Sequence, residues 1–290
     1  MSPYPISQIK PKDISELLPH IPECPKTLRI KGEFPVREKY LAVVGSRKYS
    51  EYGKAVCEEL IAGLAGYSVC IVSGLALGID GIAHKAALVA GLATIAVPGS
   101  GLSDSVLYPA THRGLADQIL ESGGCLISEF EDDFKATPWS FPQRNRLMAG
   151  LSHATFVIEA ELQSGTLITS KYAIDFNRDV FTVPHSIFSK TSEGPHMLLR
   201  LGATPITQSA DILAGLGIKA KESLFGQNTE RDYADCSADE LEVIEFLRES
   251  MTRDELIRML EKPIHVTQTI LAIMEIKGIV GERMGEMYLL

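Results

Sequence analysis

The sequence of 290 residues has no apolar run long enough to cross a membrane. Its longest apolar stretches, Val69 to Val72 and Thr94 to Pro98, are far shorter than the roughly 20 residues that a spanning helix requires. Residues Met1 to Lys10 also lack the charged and apolar blocks of a secretory signal. These absences predict a cytoplasmic protein without a membrane span.

Cysteine is scarce and scattered. The five cysteines form no C-x-x-C pair, and none has a histidine nearby at the spacing of metal ligands. We therefore expect reduced thiols, mostly in the core, with no bound metal and no cofactor.

Positive charge is in the minority, since 28 lysines and arginines face 37 aspartates and glutamates, for a formal net charge of −9. Taken alone, this balance favours a function other than binding nucleic acid. Any contact with nucleic acid must use a local basic patch.

The pattern along the chain predicts four segments. Residues 1–35 are rich in proline and predict an arm with one short helix, Asp13 to Leu18. Residues 36–215 alternate short apolar runs with helical periods, residues 216–237 read as a polar linker, and residues 238–290 as a small separate domain.

Residues 36–215 have the pattern of a doubly wound, mostly parallel α/β sheet, an extended Rossmann-like fold. Ligands of such sheets bind at the carboxyl ends of the strands, where loops lead into helices. The predicted strands are Leu41 to Val44, Ser68 to Val72, Ala93 to Val97, Cys125 to Ser128, Ala154 to Ile158 and Val180 to Val183; the predicted helices are Gly53 to Ala65, Gly81 to Ala90, His112 to Glu121, Arg144 to Leu151 and Gly165 to Asn177.

The first strand ends in Gly45, Ser46 and Arg47. A glycine at this position lets backbone N–H groups approach an anion, and the serine hydroxyl and the guanidinium add donors suited to phosphate. The loop is neither a three-glycine dinucleotide fingerprint nor a Walker A motif. A plain strand-to-helix turn with a surface arginine is the alternative.

The second strand leads into a turn with three glycines, beginning at Ser73 and Gly74. Such a turn implies close backbone approach, either to a ligand or to a neighbouring strand. Asp80 is placed to cap the following helix, and we interpret His84 as a structural hydrogen-bonding residue rather than a catalytic base.

A third segment places Phe141 beside Arg144, Asn145 and Arg146 at the start of a predicted helix. On an N-terminal turn both arginines reach a line of phosphates, and Phe141 or Trp139 would stack on unpaired bases. The alternative is that Phe141 is a core residue and that the arginines pair with Glu129, Glu131 or Glu159.

The fourth segment, Ser164, Gly165 and Thr166, opens another predicted helix with small hydroxyl residues, which suit an oxyanion. Glu159 and Glu161 precede it. Paired carboxylates are also found in hydrolases; the alternative is that these two cap a helix or pair with the arginines.

Together these segments resemble the DNA-processing protein family called DprA or Smf. The resemblance covers roughly Thr27 to Leu213 and is carried by the strings AVVGSRKYSEYG, SGLALGIDGIAHKAAL, TIAVPGSGL, FPQRNRLMAGLS and IEAELQSGTLITSKYA. It implies a homodimer without catalytic activity that binds and protects single-stranded DNA and loads a RecA-type recombinase during natural transformation or recombination.

The resemblance also implies a set of DNA-binding residues. Two departures weaken it locally: Pro184-His185 replaces a familiar Pro-Gly, and Lys135 is the only basic residue shortly before the aromatic. The complete expected set is Gly45, Ser46, Arg47, Ser73, Gly74, Lys135, Phe141, Arg144, Asn145, Arg146, Ser164, Gly165, Thr166 and Lys171.

The last segment predicts three helices and a two-stranded wing, the winged-helix pattern that many members of this family carry. The helices are expected at Ala238 to Arg248, Arg253 to Leu260 and Val266 to Lys277. Acidic residues outnumber basic ones here, which opposes contact with phosphates. A regulatory or protein-binding role is therefore favoured over binding to duplex DNA.

Two enzyme classes are the alternatives. A nucleotide phosphoribohydrolase of the Lonely Guy type shares a related framework, but Thr169 occupies the position where that family has its glutamate. A nicotinamide-dependent oxidoreductase is disfavoured because the first turn lacks the three-glycine fingerprint.

Overall fold

The computed structural model describes residues 3–219, 236–248, 250–283 and 285–289. The chain divides into two compact units, Met1–Ala220 and Lys221–Leu290. Much of the predicted linker, residues 220–235, lies outside the described residues, as does Met284 in the predicted wing turn. Within the described part, no helix is long and apolar enough to span a membrane.

The described residues of the first unit form a sheet of nine strands with seven α-helices. The sheet order is β1-β2-β6-β5-β4-β3-β7-β8-β9. The strands are β1 (Ile6–Ile9), β2 (Leu28–Gly32), β3 (Lys39–Val44), β4 (Val69–Ser73), β5 (Ala93–Ala96), β6 (Cys125–Ser128), β7 (Ala154–Val157), β8 (Asp179–Thr182) and β9 (Thr204–Pro205); the helices are α1 (Glu51–Ala62), α2 (Ile79–Val89), α3 (Arg113–Glu121), α4 (Ser140–Leu151), α5 (Thr166–Asp175), α6 (Glu193–Arg200) and α7 (Ser209–Gly215).

The seven strands from β6 to β9 in the sheet order are parallel to one another, which confirms the predicted doubly wound α/β fold. From β3 the chain moves outward in one direction through β4, β5 and β6, and then returns to the other side of β3 for β7, β8 and β9. The carboxyl ends of β3 and β7 therefore meet at the topological switch point, where open α/β sheets bind ligands.

Both faces of the central strands are buried, as continuous apolar runs predict. In β3, Ala42 and Val44 pack towards Leu147 and Met148 of α4, while Leu41 and Val43 face the opposite side. This alternation follows from the two-residue period of a strand. The loops at the carboxyl ends thus stand on a rigid, fully covered sheet.

The N-terminal segment differs from its prediction. Two short 3-10 turns, Pro11–Asp13 and Leu18–His20, replace the predicted helix, because the prolines interrupt helical hydrogen bonding. The segment also contributes β1 and β2, and β2 pairs antiparallel with β6. What looked like an arm is part of the sheet.

The other edge of the sheet is formed by β9, which has only two residues. Thr204 and Pro205 are both exposed, and β9 pairs in parallel with β8. Proline lacks the backbone N–H that a further strand would require.

The second unit combines three helices with a three-stranded antiparallel sheet in the order β10-β12-β11, which agrees with the predicted winged helix. Leu256, Leu271, Met274 and Met287 are completely buried at its centre. The elements are α8 (Ala238–Phe246), β10 (Met251–Thr252), α9 (Arg253–Met259), α10 (Ile264–Ile276), β11 (Val280–Arg283) and β12 (Glu286–Leu289).

Candidate nucleic-acid interface

A pocket of about 430 Å³ lies at the switch point. Its walls come from the loops after β3, β4 and β7 and from the first half of α4. Among the predicted DNA-binding residues, it brings together Gly45, Ser46, Arg47, Phe141, Arg144, Asn145, Ser164, Gly165 and Thr166. Four segments that are far apart in sequence therefore build one site.

The loop after β3 is fixed by the loop after β4. Gly78 has a φ of +83°, and a Cβ atom there would lie 2.6 Å from the Cα of Arg47, so only glycine allows this approach. The Ile79 N–H donates to the Ser46 carbonyl at 3.1 Å. Of the two reasons predicted for the glycine-rich turn, close approach of neighbouring backbone is the one that the structure displays.

The donors of this loop differ from expectation in one respect. The Ser46 hydroxyl is engaged inside the loop, since it donates to the Lys48 carbonyl at 2.7 Å and accepts from the Lys48 N–H at 3.1 Å. In contrast, the backbone N–H groups of Ser46 and Arg47 have no acceptor among the described residues. Main-chain amides, rather than the hydroxyl, are the donors that this loop offers to an anion.

Arg47 lies over the ring of Phe141, with its guanidinium carbon 4.9 Å from the ring centroid. Arg47 is exposed and has no ion-pair partner in the described part of the chain. Phe141 is half-buried and packs edge-on against Tyr108, with 5.6 Å between ring centroids. An uncompensated cation and a partly open aromatic ring thus stand side by side.

Arg144 supplies a buried positive charge. Its Nη1 donates to the carbonyls of Gly74, at 2.5 Å, and of Val97, and its Nε donates to the Asn145 side chain at 3.1 Å. Burial lowers the pKa of Arg144 to about 10, so the guanidinium stays protonated at neutral pH. Its charge is held by these carbonyls and by the nearby carboxyl group of Asp80.

Asp80 is the buried counterpart of this charge. Burial raises the pKa of its carboxyl group, whereas the positive charge of Arg144 and hydrogen bonds from the backbone N–H groups of Ala76 and Gly74 act in the opposite direction. Asp80 is thus not the helix cap that the sequence predicts: Gly78 precedes the helix, and the Asp80 carboxyl group accepts from the backbone of the glycine turn.

The start of α5 is hydrogen-bonded to the loop after β3. The Thr166 hydroxyl donates to the Gly45 carbonyl at 3.0 Å, and the Ser164 hydroxyl donates to the Thr166 hydroxyl at 2.9 Å. The Asn145 amide donates to the Gly165 carbonyl at 3.3 Å. These side chains fix the wall of the pocket, because their donors are already used.

Five predicted residues do not line the pocket. Ser73 is buried and donates to the Val43 carbonyl, while Gly74 receives the Arg144 side chain. Lys135 and Lys171 are exposed elsewhere on the surface.

Arg146 is the fifth, and the structure corrects its expected position. It forms a buried ion pair with Glu129 and donates to the Glu23 carbonyl at 2.8 Å. Residues i and i+2 of a helix are about 200° apart around its axis, so Arg144 and Arg146 point to opposite sides of α4. The pairing with Glu129 was the alternative considered from the sequence.

Four polar or charged residues around the pocket are not in the expected set. Lys48 continues the loop after β3 and is exposed, and Asp80, Glu161 and Thr169 also line the pocket. The signal for Lys48 was its place directly after Arg47. The signal for Thr169 is its position three residues after Thr166. On sequence alone, that position bears only on catalysis.

Two titratable residues weighed from the sequence have structural roles. His84 is fully buried 2.7 Å from the Thr94 hydroxyl, and burial lowers its pKa to about 3. Glu159 is also fully buried and accepts hydrogen bonds from the backbone N–H and the hydroxyl of Ser50, at 2.9 and 2.8 Å. Neither faces the pocket.

Most lysines and arginines in the described part of the second unit are paired with carboxylates. Four of its basic side chains form ion pairs with carboxylates of the same unit: Arg248 with Glu245, Arg253 with Glu275 and Glu282, Lys262 with Asp239 and Glu242, and Lys277 with Glu240. This pairing agrees with the prediction that the unit is not built to bind phosphates.

Known proteins resemble this chain over most of the first unit. Protein Smf of Escherichia coli is 44% identical over 195 residues, which cover 67% of this chain and 52%, about half, of the length of that relative. DNA processing protein DprA of Streptococcus pneumoniae is 42% identical over 205 residues, 70% of each chain.

Solved structures show the same relation. The X-ray structure of the Streptococcus pneumoniae protein matches with a TM-score of 0.66 and 37% identity over 76% of either chain. A structure of DNA processing protein A from Helicobacter pylori, described for its single-stranded DNA binding mode, matches with a TM-score of 0.64 and 28% identity over 73% of this chain and 96% of that one. A family model, DNA recombination-mediator protein A, matches residues 6–217. The chain therefore belongs to the DNA recombination-mediator protein A family.

Proposed function

We propose that this protein binds single-stranded DNA in the switch-point pocket and delivers it to a RecA-type recombinase, during uptake of DNA or during recombination. In this proposal the protein acts as a homodimer and catalyses no reaction itself. The observation that carries the proposal is the pairing of Arg47 with Phe141 at the mouth of a pocket that also holds free backbone N–H groups.

Each part of the pocket suits one part of an unpaired nucleotide. The amides of Ser46 and Arg47 and the guanidinium of Arg47 hold phosphate oxygens without reading sequence. The ring of Phe141 offers a stacking surface, which selects unpaired bases because a duplex buries its base faces. Arg144 adds a fixed positive charge behind both.

The acidic composition of the chain does not oppose this proposal. The net charge of −9 is spread over the whole chain, whereas the mouth of the pocket carries the unpaired cations Arg47 and Lys48. A short screening length confines the electrostatic interaction to nearby groups. Binding then depends on the local patch, and it weakens as salt is added.

The pocket is poorly equipped for N-glycosidic hydrolysis of the Lonely Guy type. Thr169 stands where a glutamate is needed, and Asp80 is buried and occupied by backbone N–H groups. Release of free base from nucleoside monophosphates by the pure protein would overturn the assignment of a binding function. We expect none.

The decisive experiment compares Arg47→Ala with Arg37→Ala by fluorescence anisotropy on labelled oligothymidine. Arg37 is also exposed, but it precedes the amino end of β3, on the opposite edge of the sheet. We expect Arg47→Ala to weaken binding by about ten- to a hundredfold, the loss of one charge-assisted contact. Its salt slope should fall by about 0.7, one phosphate. Arg37→Ala should bind normally, and equal losses in both variants would reject the pocket.

Two further measurements test the finer parts of the proposal. A matching duplex should bind much more weakly than the single strand. Adding the purified recombinase of the same organism should give faster filament assembly on DNA that carries the protein than on bare DNA coated with single-strand binding protein. Light scattering tests the homodimer.

A further inference from the structure

The loop that follows β8, residues 184–192, displays two large apolar side chains to solvent. Phe188 is 92% exposed and Ile187 is 78% exposed. Adjacent exposed apolar groups next to a cavity are candidates for an interaction surface. The proposed pocket does not include either residue.

The loop holds these side chains outward on a fixed backbone. The Tyr52 hydroxyl donates to the Pro184 carbonyl at 2.8 Å, and the Tyr52 ring packs edge-on against His185 at 4.9 Å. The Ala160 N–H donates to the Thr191 carbonyl at 2.9 Å. Because both ends of the loop are tied down, the exposure of Phe188 is a property of the folded loop.

A cavity of about 390 Å³ lies between this loop and the start of α1. Its lining combines hydroxyl groups with aromatic rings and contains no carboxylate: Ser50, Tyr52, Pro184, His185, Ser186 and Ser189. The hydroxyls of Ser50 and Tyr52 already donate within the protein, to Glu159 and to the Pro184 carbonyl. The aromatic rings, with no carboxylate in the lining, fit the bases of a polynucleotide.

The cavity lies on the same edge of the sheet as the switch-point pocket. Strands β3, β7 and β8 are neighbours, so the carboxyl ends of β3 and β8 are roughly 10 Å apart. Lys48 borders the first pocket and Lys190 belongs to the loop after β8; both are exposed, and neither has an ion-pair partner in the described residues. Both lysines therefore lie at the carboxyl-end edge of the sheet, one on each side of the loop after β7.

We propose that the loop after β8 is a second contact for the same DNA strand, with Phe188 stacking on a base several nucleotides away from the one at Phe141. This inference rests on the proposed function and extends it from a single-nucleotide pocket to a path with a direction. It predicts that affinity rises with oligonucleotide length until the strand reaches Phe188, and that this rise depends on Phe188.

The test measures the binding of oligothymidines of about four and about twelve nucleotides, within the usual range of site sizes. Phe188→Ala should weaken binding of the longer oligonucleotide by about tenfold, one stacked base, and leave the shorter one unchanged. Val89→Ala is the matched control, because Val89 is 90% exposed at the end of α2, on the opposite edge of the sheet. It should change neither affinity.

Fluorescence gives an independent readout. Trp139 is the single tryptophan, so a Trp139→Phe background allows Phe188→Trp to report on its own surroundings. We expect the longer oligothymidine to quench this tryptophan and the shorter one to leave it unchanged. Val89→Trp in the same background should not respond.

The outcomes separate this inference from the proposed function. If Arg47→Ala weakens binding of both oligonucleotides while Phe188→Ala weakens neither, the pocket stands and the second contact is rejected. If Phe188→Ala weakens binding of the short and the long oligonucleotide equally, a separate contact is also rejected. A drop in the mass of the assembled protein, with unchanged length dependence, would assign Phe188 to a protein interface instead. Failure of the wild-type protein to bind either oligonucleotide would overturn both proposals.

Discussion

The buried pair of Arg146 and Glu129 offers the sharpest test of the corrected site. The two side chains are only 9% and 6% exposed, and Glu129 also accepts from Gln143 at 3.0 Å. The other carboxylate oxygen, Oε1, has no hydrogen-bond partner within the described residues. Removal of Arg146 therefore leaves a buried carboxylate with a single neutral donor.

We expect Arg146→Met to lower the free energy of unfolding by about 3–5 kcal/mol, the usual cost of breaking a buried pair on one side. For a unit of this size, each kcal/mol shifts the melting temperature by about 2–4 °C, so the total shift is about 6–20 °C. Glu129→Gln in the Arg146→Met background removes the stranded charge and keeps an acceptor for Gln143. This second change should recover a large part of the loss.

The assay pairs thermal melting with oligothymidine binding at a temperature where every variant is folded. Arg146→Met should melt early and bind normally, whereas Arg47→Ala should melt normally and bind weakly. The opposite result, normal melting with weakened binding in Arg146→Met, would restore Arg146 as a phosphate contact and refute the reasoning from burial.

Three further outcomes follow from the loops and the core. Gly78→Ala should lower both stability and DNA affinity, since the new Cβ meets the Arg47 backbone. Gly91 is the control, because its φ is +67° but the space around it is open. When both properties are measured, Gly91→Ala should lower stability alone. Ser50→Ala removes both the helix cap that accepts from the Gly53 N–H and the hydroxyl that donates to buried Glu159. It should therefore cost about 2–4 kcal/mol in urea unfolding, more than the loss of a cap alone. Burial lowers the pKa of His84 from its ordinary 6.5 to about 3 in the folded protein. The contribution of neutral His84 to stability is therefore complete above about pH 6.5 and is lost as the pH falls towards 3. Between about pH 7 and about pH 4, the melting temperature of His84→Gln should fall less than that of the wild type.

Much of the fold was predictable because the buried parallel strands are continuous apolar runs. The predicted strand Cys125 to Ser128 agrees with β6 at both ends, and the other five agree within a residue or two. The resemblance to the DprA family, carried by short strings around the same strand ends, is confirmed by the family match. Both signals are local in sequence, so no tertiary information was needed.

The two strands of the N-terminal segment could not be predicted in the same way. Leu28–Gly32 has only two fully inward apolar residues, Leu28 and Ile30, and its pairing partner β6 lies almost a hundred residues later. A run this short gives no clear period. Its strand conformation depends on hydrogen bonding to β6, a strand formed much later in the sequence.

The start of α4 explains why Arg146 was misplaced. The predicted helix began at Arg144, after Pro142, whereas α4 begins at Ser140. Proline is tolerated in the first turn of a helix, where its missing N–H is not needed. The two arginines are therefore in the second turn, where helical geometry sends their side chains to opposite sides.

The two-residue strand β9 has a consequence for contact between copies of the chain. An open sheet edge invites neighbours to join by strand addition. Pro205 removes the donor that such an addition needs. Copies that meet at this edge would therefore use side chains rather than main-chain hydrogen bonds.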